Sequence, residues 1–556
     1  VSEDKKQTVT DNNGDQLSNV LKYICLMAEK VNLKANNLWL DRIPDKIYVD
    51  NLVDKYKFNF GQSISAIIGE YDDPANQSQN ILTLPLNSEA NTVIFGRNSM
   101  DREMFLNSFI YSLCTRYKPN NINIYIMDFG SETLRMFYGF PQVGDVMLSV
   151  DTEKINKSFA VLNDLIIERK RLFADYNGDY FTYCKHSGKT VPLIVFIINN
   201  YESFNEMYNR YEDDIVRYSR EGKRYGIIMI ITNSSSHGFP TRIMRNLNNV
   251  FALELTGKND YMELFGKIGN LYPADFPGRG MFKKEDVYEF QTAQIYDGDD
   301  LVGFLKEKAK KIKEVCTVSA PAIPVLPDKV SFESLIGSLK GLTSVPIGIE
   351  RQSLNISSVD LKNNKINIVS STDLENIISA MKSLITMINE VKDTKIVLID
   401  LNKVLPDFID IVTGYCDRNF DINANGIIGY ISKNIENNMA NNLMFIIVGT
   451  EKLSTMNNRN ALNKVMEKII PLENANVIIA DSNYQLRKLS TELWYSSNIR
   501  GDQGIWIGNG VVDQTSIRLT GSNRSYNEKI DNRFAWKIKN GQGVLVKLME
   551  LDKNEK

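Results

Sequence analysis

The strongest constraint on this chain is a series of short, almost wholly apolar runs separated by stretches with helical periodicity. Ile122–Asp128 (INIYIMD), Val191–Ile198 and Tyr225–Thr232 (YGIIMIIT) read as strands buried on both faces. Thr92–Phe95 reads as an earlier strand entering a turn, and Val250–Leu255 as a later one. Met104–Tyr117 and the charged stretch Lys154–Ala174 carry helical spacing, and a polar helix is expected through Arg220. Strands and helices in alternation predict an α/β fold, a mostly parallel sheet flanked by helices.

The pattern then restarts. Thr317–Lys329 (TVSAPAIPVLPDK) carries three prolines in a short span and reads as a stiff extended linker. Beyond it, Ile366–Val369, Lys395–Asp400, Leu443–Val448 and Asn476–Ala480 read as strands, with a helix over Leu374–Ile388. Element order therefore predicts two tandem modules of one type. The expected divisions are a lead-in over 1–65 packed on the first module, a first module over 66–316, the linker 317–329 and a second module over 330–556. In the lead-in, Leu17, Val20, Leu21, Ile24 and Met27 predict a helix over Gln16–Val31 with one buried face. Leu38–Pro44 reads as extended.

The chain has 556 residues and a net charge of −3, without the basic footprint of a protein that grips phosphate backbones. Nucleic acid is therefore not an expected partner. Cys25, Cys114, Cys184, Cys316 and Cys416 are scattered, and read as reduced cytosolic thiols, mostly core residues. His186 and His237 are the two histidines, which makes a histidine metal site an unpromising reading. No run reaches the roughly 18 apolar residues of a membrane span. The start at Val1 is read as that of an excised fragment, with any membrane segments upstream.

In an α/β module of this kind, a phosphate loop belongs between the first parallel strand and its helix. The working pattern is G-x-x-x-x-G-K-[ST], whose backbone wraps phosphate, whose Lys reaches the terminal phosphates and whose hydroxyl holds Mg²⁺. In the first module the slot is Gly96-Arg97-Asn98-Ser99-Met100-Asp101-Arg102-Glu103. Gly96 fits the opening glycine. Asp101 stands for the second glycine, Arg102 for the Lys and Glu103 for the hydroxyl. A carboxylate about 4 Å from a phosphate costs roughly 1 to 4 kcal/mol. Two would remove much of the about 8 kcal/mol of a micromolar site.

In the second module Ser370-Ser371-Thr372-Asp373-Leu374-Glu375-Asn376-Ile377 has no glycine, and Asn376 and Ile377 replace the Lys and the hydroxyl. This loop is a candidate protein-docking pocket. The acidic residue expected after the metal-organising strand is replaced by Asn199-Asn200 in the first module. In the second it is replaced by Gly449-Thr450, with Glu451 one step late. No catalytic residue is assigned, and ATP with Mg²⁺ is expected to bind weakly at best. Ser187-Gly188-Lys189-Thr190 spells the end of a phosphate loop but precedes a strand, and reads as a surface turn. A rival reading is an ATPase with an unorthodox loop using Arg102 and Asp128 or Glu202.

Several segments carry a family resemblance. Asn123–Gly130 (NIYIMDFG), Gln142–Val146, the PLIVFIINNYESF run, Arg220–Ile227 and Phe276–Gly280 resemble FtsK/SpoIIIE-type modules. Val345–Gly348, Gly504–Gly510 (GIWIGNG) and Asp513-Gln514 look like the last such module of the EssC-like motor proteins of type VIIb secretion in Firmicutes. Trp39-Leu40 resembles the lead-in to the penultimate one. The resemblance implies two RecA-like P-loop NTPase modules from the cytoplasmic part of a bacterial cell-membrane protein. It implies secreted WXG100-class and effector proteins as partners, and other modules of the same motor in a hexameric ring. It implies a part in substrate recognition and control of export. In such a ring Arg242 and Arg245, after the third strand, are candidates for arginines acting on a neighbouring subunit.

Overall fold

The computed structural model describes residues 15–33, 41–60, 63–417, 424–455, 461–521 and 523–551. The first part of the extended segment expected at Leu38–Pro44, Leu38 to Leu40 with its Trp39, lies outside the described residues. So do nearly all of the polar ends Val1–Asp15 and Asp552–Lys556.

The chain divides into two compact units between Ile323 and Pro324. The strands of the first are Ser65–Asp73 (β1), Ser78–Pro85 (β2), Thr92–Phe95 (β3), Ile122–Asp128 (β4), Val143–Leu148 (β5), Leu193–Asn199 (β6), Ile227–Asn233 (β7), Asn249–Ala252 (β8), Arg279–Lys283 (β9) and Val287–Thr292 (β10). They form one sheet in the order β2-β1-β10-β9-β8-β3-β7-β6-β4-β5. The half from β8 to β5 is parallel and the half from β8 to β2 antiparallel. The parallel strands need no alternation because helices cover both faces, and Val195–Ile198 and Ile228–Ile231 are fully buried. Each such side chain contributes about 2 kcal/mol on leaving water.

The second unit has Val345–Glu350 (β11), Ile356–Val359 (β12), Ile366–Ser371 (β13), Thr394–Ile399 (β14), Gly414–Cys416 (β15), Asn442–Val448 (β16), Ala475–Ser482 (β17), Gly504–Ile507 (β18), Phe534–Lys539 (β19) and Gln542–Leu548 (β20). Their order is β12-β11-β20-β19-β18-β13-β17-β16-β14-β15, the first sheet repeated strand for strand. Small features repeat too. Gly69 in β1 and Gly348 in β11 each sit at a register shift. A Cβ on Gly69 would stand 1.8 Å from the Gln291 carbonyl oxygen, and one on Gly348 2.0 Å from that of Lys547. Only glycine fits where the bulged strand meets its neighbour this closely.

Three expectations need correction. The first helix forms over Gln16–Lys30, capped by Asp15, but buries no residue: Leu17, Val20, Leu21, Ile24 and Met27 are all exposed. Amphipathic spacing predicted the helix correctly, yet it does not supply a partner for the apolar face. The polar helix before Arg220 is two helices, Tyr201–Tyr208 and Glu212–Glu221, separated by a short turn. The sequence pattern does not mark the antiparallel strands β1, β2, β9 and β10 or the edge strand β5, nor their second-module counterparts β11, β12, β19, β20 and β15, nor β18.

Within the proline-rich segment, Ala320 N–H donates to Pro141 O (2.7 Å) and Tyr125 OH donates to Pro321 O (2.9 Å). Ile323 is buried in the first core. Lys547 Nζ donates to Pro327 O and Asp328 O, both at 2.8 Å, and Val330 is buried in the second unit.

Candidate functional site

The first slot follows β3 but is short. The strand ends at Phe95 and the helix Ser99–Arg116 begins after only Gly96-Arg97-Asn98. The Asn98 side chain accepts from Met100 N–H (3.0 Å) and so caps the helix. A phosphate would be drawn to these same terminal N–H groups. Asp101, Arg102 and Glu103 are already helical and buried. Arg102 Nη1 donates to Gly96 O and Arg97 O, so the cation at the lysine position is turned onto the loop's own carbonyls. Asp101 accepts from Gly278 N–H (3.0 Å), and Glu103 from Ser131 Oγ and Thr133 Oγ1. Burial lifts the Asp101 carboxyl above its ordinary range, partly offset by the Gly278 bond. Ser99 is half-buried, and Arg97 and Asn98 face solvent.

The strand ends beside the slot are equally occupied. Asn199 is buried, donates through Nδ2 to Asp128 (2.8 Å) and accepts from Thr232 Oγ1 (2.7 Å). Asp128 also accepts from Gly130 N–H (3.2 Å) and Leu134 N–H (3.0 Å). Asn200 adopts φ +67°, donates its N–H to Thr232 Oγ1 (2.9 Å), and holds Phe129 O and Ser203 through its amide. A metal would have to break this net, and the amide brings no charge to repay that loss. Asp128 is fully buried, so the rival's first candidate acid is a structural acceptor. Glu202 is exposed and accepts from Ser234 Oγ (2.8 Å).

In the second module the slot differs from the sequence expectation. Ser370 and Ser371 are buried residues of β13, donating to Asp481 O (3.1 Å) and Ile507 O (2.8 Å). The turn is Thr372-Asp373, followed by a 3₁₀ turn over Leu374–Ile377 and the helix Ile378–Asn389. Ile377 is in the core. Thr372, Asp373 and Glu375 are exposed, while Asn376 donates to Thr372 Oγ1 (2.9 Å) and accepts from Asn532 (2.7 Å). Two turn residues cannot wrap a phosphate as an eight-residue loop does. Asp481 accepts from Thr450 N–H and Oγ1 (2.6 and 2.7 Å), doing the work of Thr232 in the first module. Asp400 accepts from Val404 N–H, Leu405 N–H and Tyr415 OH, as Asp128 does for its own loop.

Arg242 is exposed and pairs with Glu212 (3.1 Å) and Asp213 (3.0 Å) of its own module, and Arg245 is exposed nearby. Ser187–Thr190 is an exposed turn with Gly188 at φ +68°, before β6. Sequence reasoning named Asn98 as a slot residue but not as a helix cap, and it missed Thr232 and Asp481. The cap at Asn98 had a signal, an Asn just before helical spacing, but Thr232 and Asp481 become partners only across strands.

Two sheets of this order, each with a strand–turn–helix slot at the carboxyl ends of its parallel strands, define a pair of RecA-like modules, and residues 68–281 match the FtsK/SpoIIIE family. The first module thus carries an FtsK/SpoIIIE domain. The chain is similar to the type VII secretion system protein EssC of Staphylococcus aureus (strain MRSA252), at 24% identity over 432 residues, which is 74% of this chain and 29% of that protein. Its fold is similar to that of EssC (ATPases 2 and 3) from Geobacillus thermodenitrificans, with TM-score 0.76 and 17% identity over 92% of this chain and all of that one. It is also similar to Thermomonospora curvata EccC (ATPases 2 and 3), solved in complex with a signal sequence peptide, with TM-score 0.58 and 20% identity over 93% of this chain and all of that one. The chain spans less than a third of the length of the curated relatives it matches. Among the described residues no helix is long and apolar enough to cross a membrane.

Proposed function

We propose that this chain is a cytoplasmic recognition and control part of a type VII protein-secretion motor, in which neither module hydrolyses ATP. The observation that carries the reading is the occupied first slot, where Arg102 bonds the loop carbonyls and Asn98 takes the helix N-terminus. The two-residue turn of the second slot supports it. The work then comes from active modules elsewhere in the motor, and these two modules report substrate arrival to them. The signal sequence peptide held by the Thermomonospora curvata relative supports secreted proteins as partners, WXG100-class proteins and effectors among them. A hexameric ring would bring these modules beside others of the same motor.

The test is steady-state ATP hydrolysis by this chain with Mg²⁺, with and without a secreted substrate. The reading expects no turnover above background in either case, and substrate binding that Mg-ATP leaves unchanged. Hydrolysis that rises on adding substrate would make the chain a working ATPase.

A further inference from the structure

A second concave site lies in the second module, at the amino end of β13 and therefore opposite the nucleotide slot. It is a cleft of about 400 Å³, with Leu361, Ile368, Val369 and Ile505 among its apolar lining. Arg500, Lys537 and Lys539 also line it, against one acid, Asp360. Asp360 is engaged by Lys362 N–H, Asn363 N–H and the Asn363 amide. Lys537 pairs with Glu350 (3.2 Å), and Arg500 lies 3.6 Å from Asp502. Lys539 is exposed and its charge acts on Asp360 across the cleft. The lining is thus cationic over an apolar floor.

The sheet is also open here. β17 flanks β13 at every residue from Ile366 to Ser371, whereas β18 meets it only at Val369 and Ser370. In the first module the corresponding β8 runs beside β3 along its whole length, from Thr92 to Phe95. Val477 N–H donates to Lys365 O (2.9 Å), so Lys365 faces β17. The peptide groups of Ile366 and the N–H of Ile368 therefore face the open side, while the parallel pairing of Val369 with Ile505 takes up the Ile368 carbonyl. β18 begins only at Gly504, close enough that a Cβ there would stand 3.0 Å from Ile368 O, so the gap lies beside Ile366.

We propose that this cleft binds a short, extended peptide segment bearing carboxylates, its backbone meeting the Ile366 peptide groups and the Ile368 N–H, and its acids held by Lys539, Arg500 and Lys537. A strand edge supplies main-chain bonds to any extended peptide, and the flanking charges select which one. The volume falls within the range of small-ligand sites and takes about three residues. The cleft gives the recognition role a physical seat. Binding there rests only on this geometry, so it holds or fails independently of nucleotide and of which protein owns the peptide.

The test uses this chain and two fluorescein-labelled peptides, Val-Glu-Val-Glu-Val and its Gln-for-Glu counterpart, followed by fluorescence anisotropy. The expected result is saturable binding of the acidic peptide, weakened about tenfold by Lys539→Glu or Arg500→Glu. The glutamine peptide binds no better to the wild type than the acidic one does to those variants. Both substituted residues are exposed, and circular dichroism of each variant checks that the fold is kept. Amide exchange at Ile366 and Ile368 slows on binding if the edge is used. No saturation up to about 1 mM, equal affinity for both peptides, or unchanged affinity in both variants would overturn the proposal. So would full displacement by an equal concentration of inorganic phosphate, which would mark a plain anion site.

Discussion

At the scale of single residues, the first slot is held by side chains that do structural work where phosphate chemistry would need free ones. Arg102→Ala leaves Gly96 O and Arg97 O without their donor and opens space in a buried helix face. It is expected to cost about 2 to 3 kcal/mol of stability in urea unfolding. Asn199→Asp restores the acid that a metal site wants but sets it beside Asp128, 2.8 Å from the present amide. The expected cost is about 3 kcal/mol near neutral pH. Burial already holds the Asp128 carboxyl above its ordinary range, against the pull of Asn199, Leu134 and Gly130. A carboxyl raised in the folded state stabilises most below its unfolded pKa, and that contribution is lost as pH rises through the folded value. The deficit of Asn199→Asp should therefore shrink on acidification below neutral pH, because protonation relieves the pair. A deficit that grows on acidification would contradict the assignment. The replaced letters Asp101, Arg102, Glu103 and Asn199 were legible in the sequence. Their partners were not, since Gly278 and Ser131 reach the slot only through the fold. The second slot was read one strand end too early, because Ser370 and Ser371 look like turn residues and their hydroxyls bond backbone carbonyls inside the sheet.

At the scale of elements, the long apolar strands and their helices could be read from periodicity, whereas the antiparallel half of each sheet could not. β9 and β12 are short and partly polar, so although each pairs in a hairpin with its chain neighbour, neither carries an apolar run that marks a strand. Gly69 and Gly348 mark the same bulge in the two modules, so Gly69→Ala and Gly348→Ala should each cost about 3 kcal/mol or more. In both cases the obstacle is a backbone carbonyl, which cannot turn aside as a flexible side chain would. A melt unchanged in either variant would contradict the close approach. The helix Gln16–Lys30 makes the opposite prediction. Ile24→Ala on its exposed face should change stability by less than about 0.5 kcal/mol, where a buried isoleucine would cost about 2 to 5. The spacing that revealed this helix also predicted a buried face, because periodicity records what a helix can cover and not what covers it.

At the scale of the whole molecule, two sheets of identical strand order each own a core, and element order in the sequence had already implied a repeat. Each unit is expected to unfold as its own cooperative transition. Gly69→Ala should then lower one transition and Gly348→Ala the other, as read by calorimetry. The repeat extends to Asp128 and Asp400, which brace equivalent loops, and stops at the slots, which have diverged into a capped helix and a two-residue turn. Both modules share the RecA-like frame, and the proposed function rests on neither keeping an open phosphate cradle. The most direct test of that claim is isothermal titration of this chain with Mg-ATP and a slowly hydrolysed analogue. The account predicts no saturable heat up to about 1 mM. Saturable binding that Arg102→Ala abolishes would contradict it, and would mean that the first slot opens to receive nucleotide.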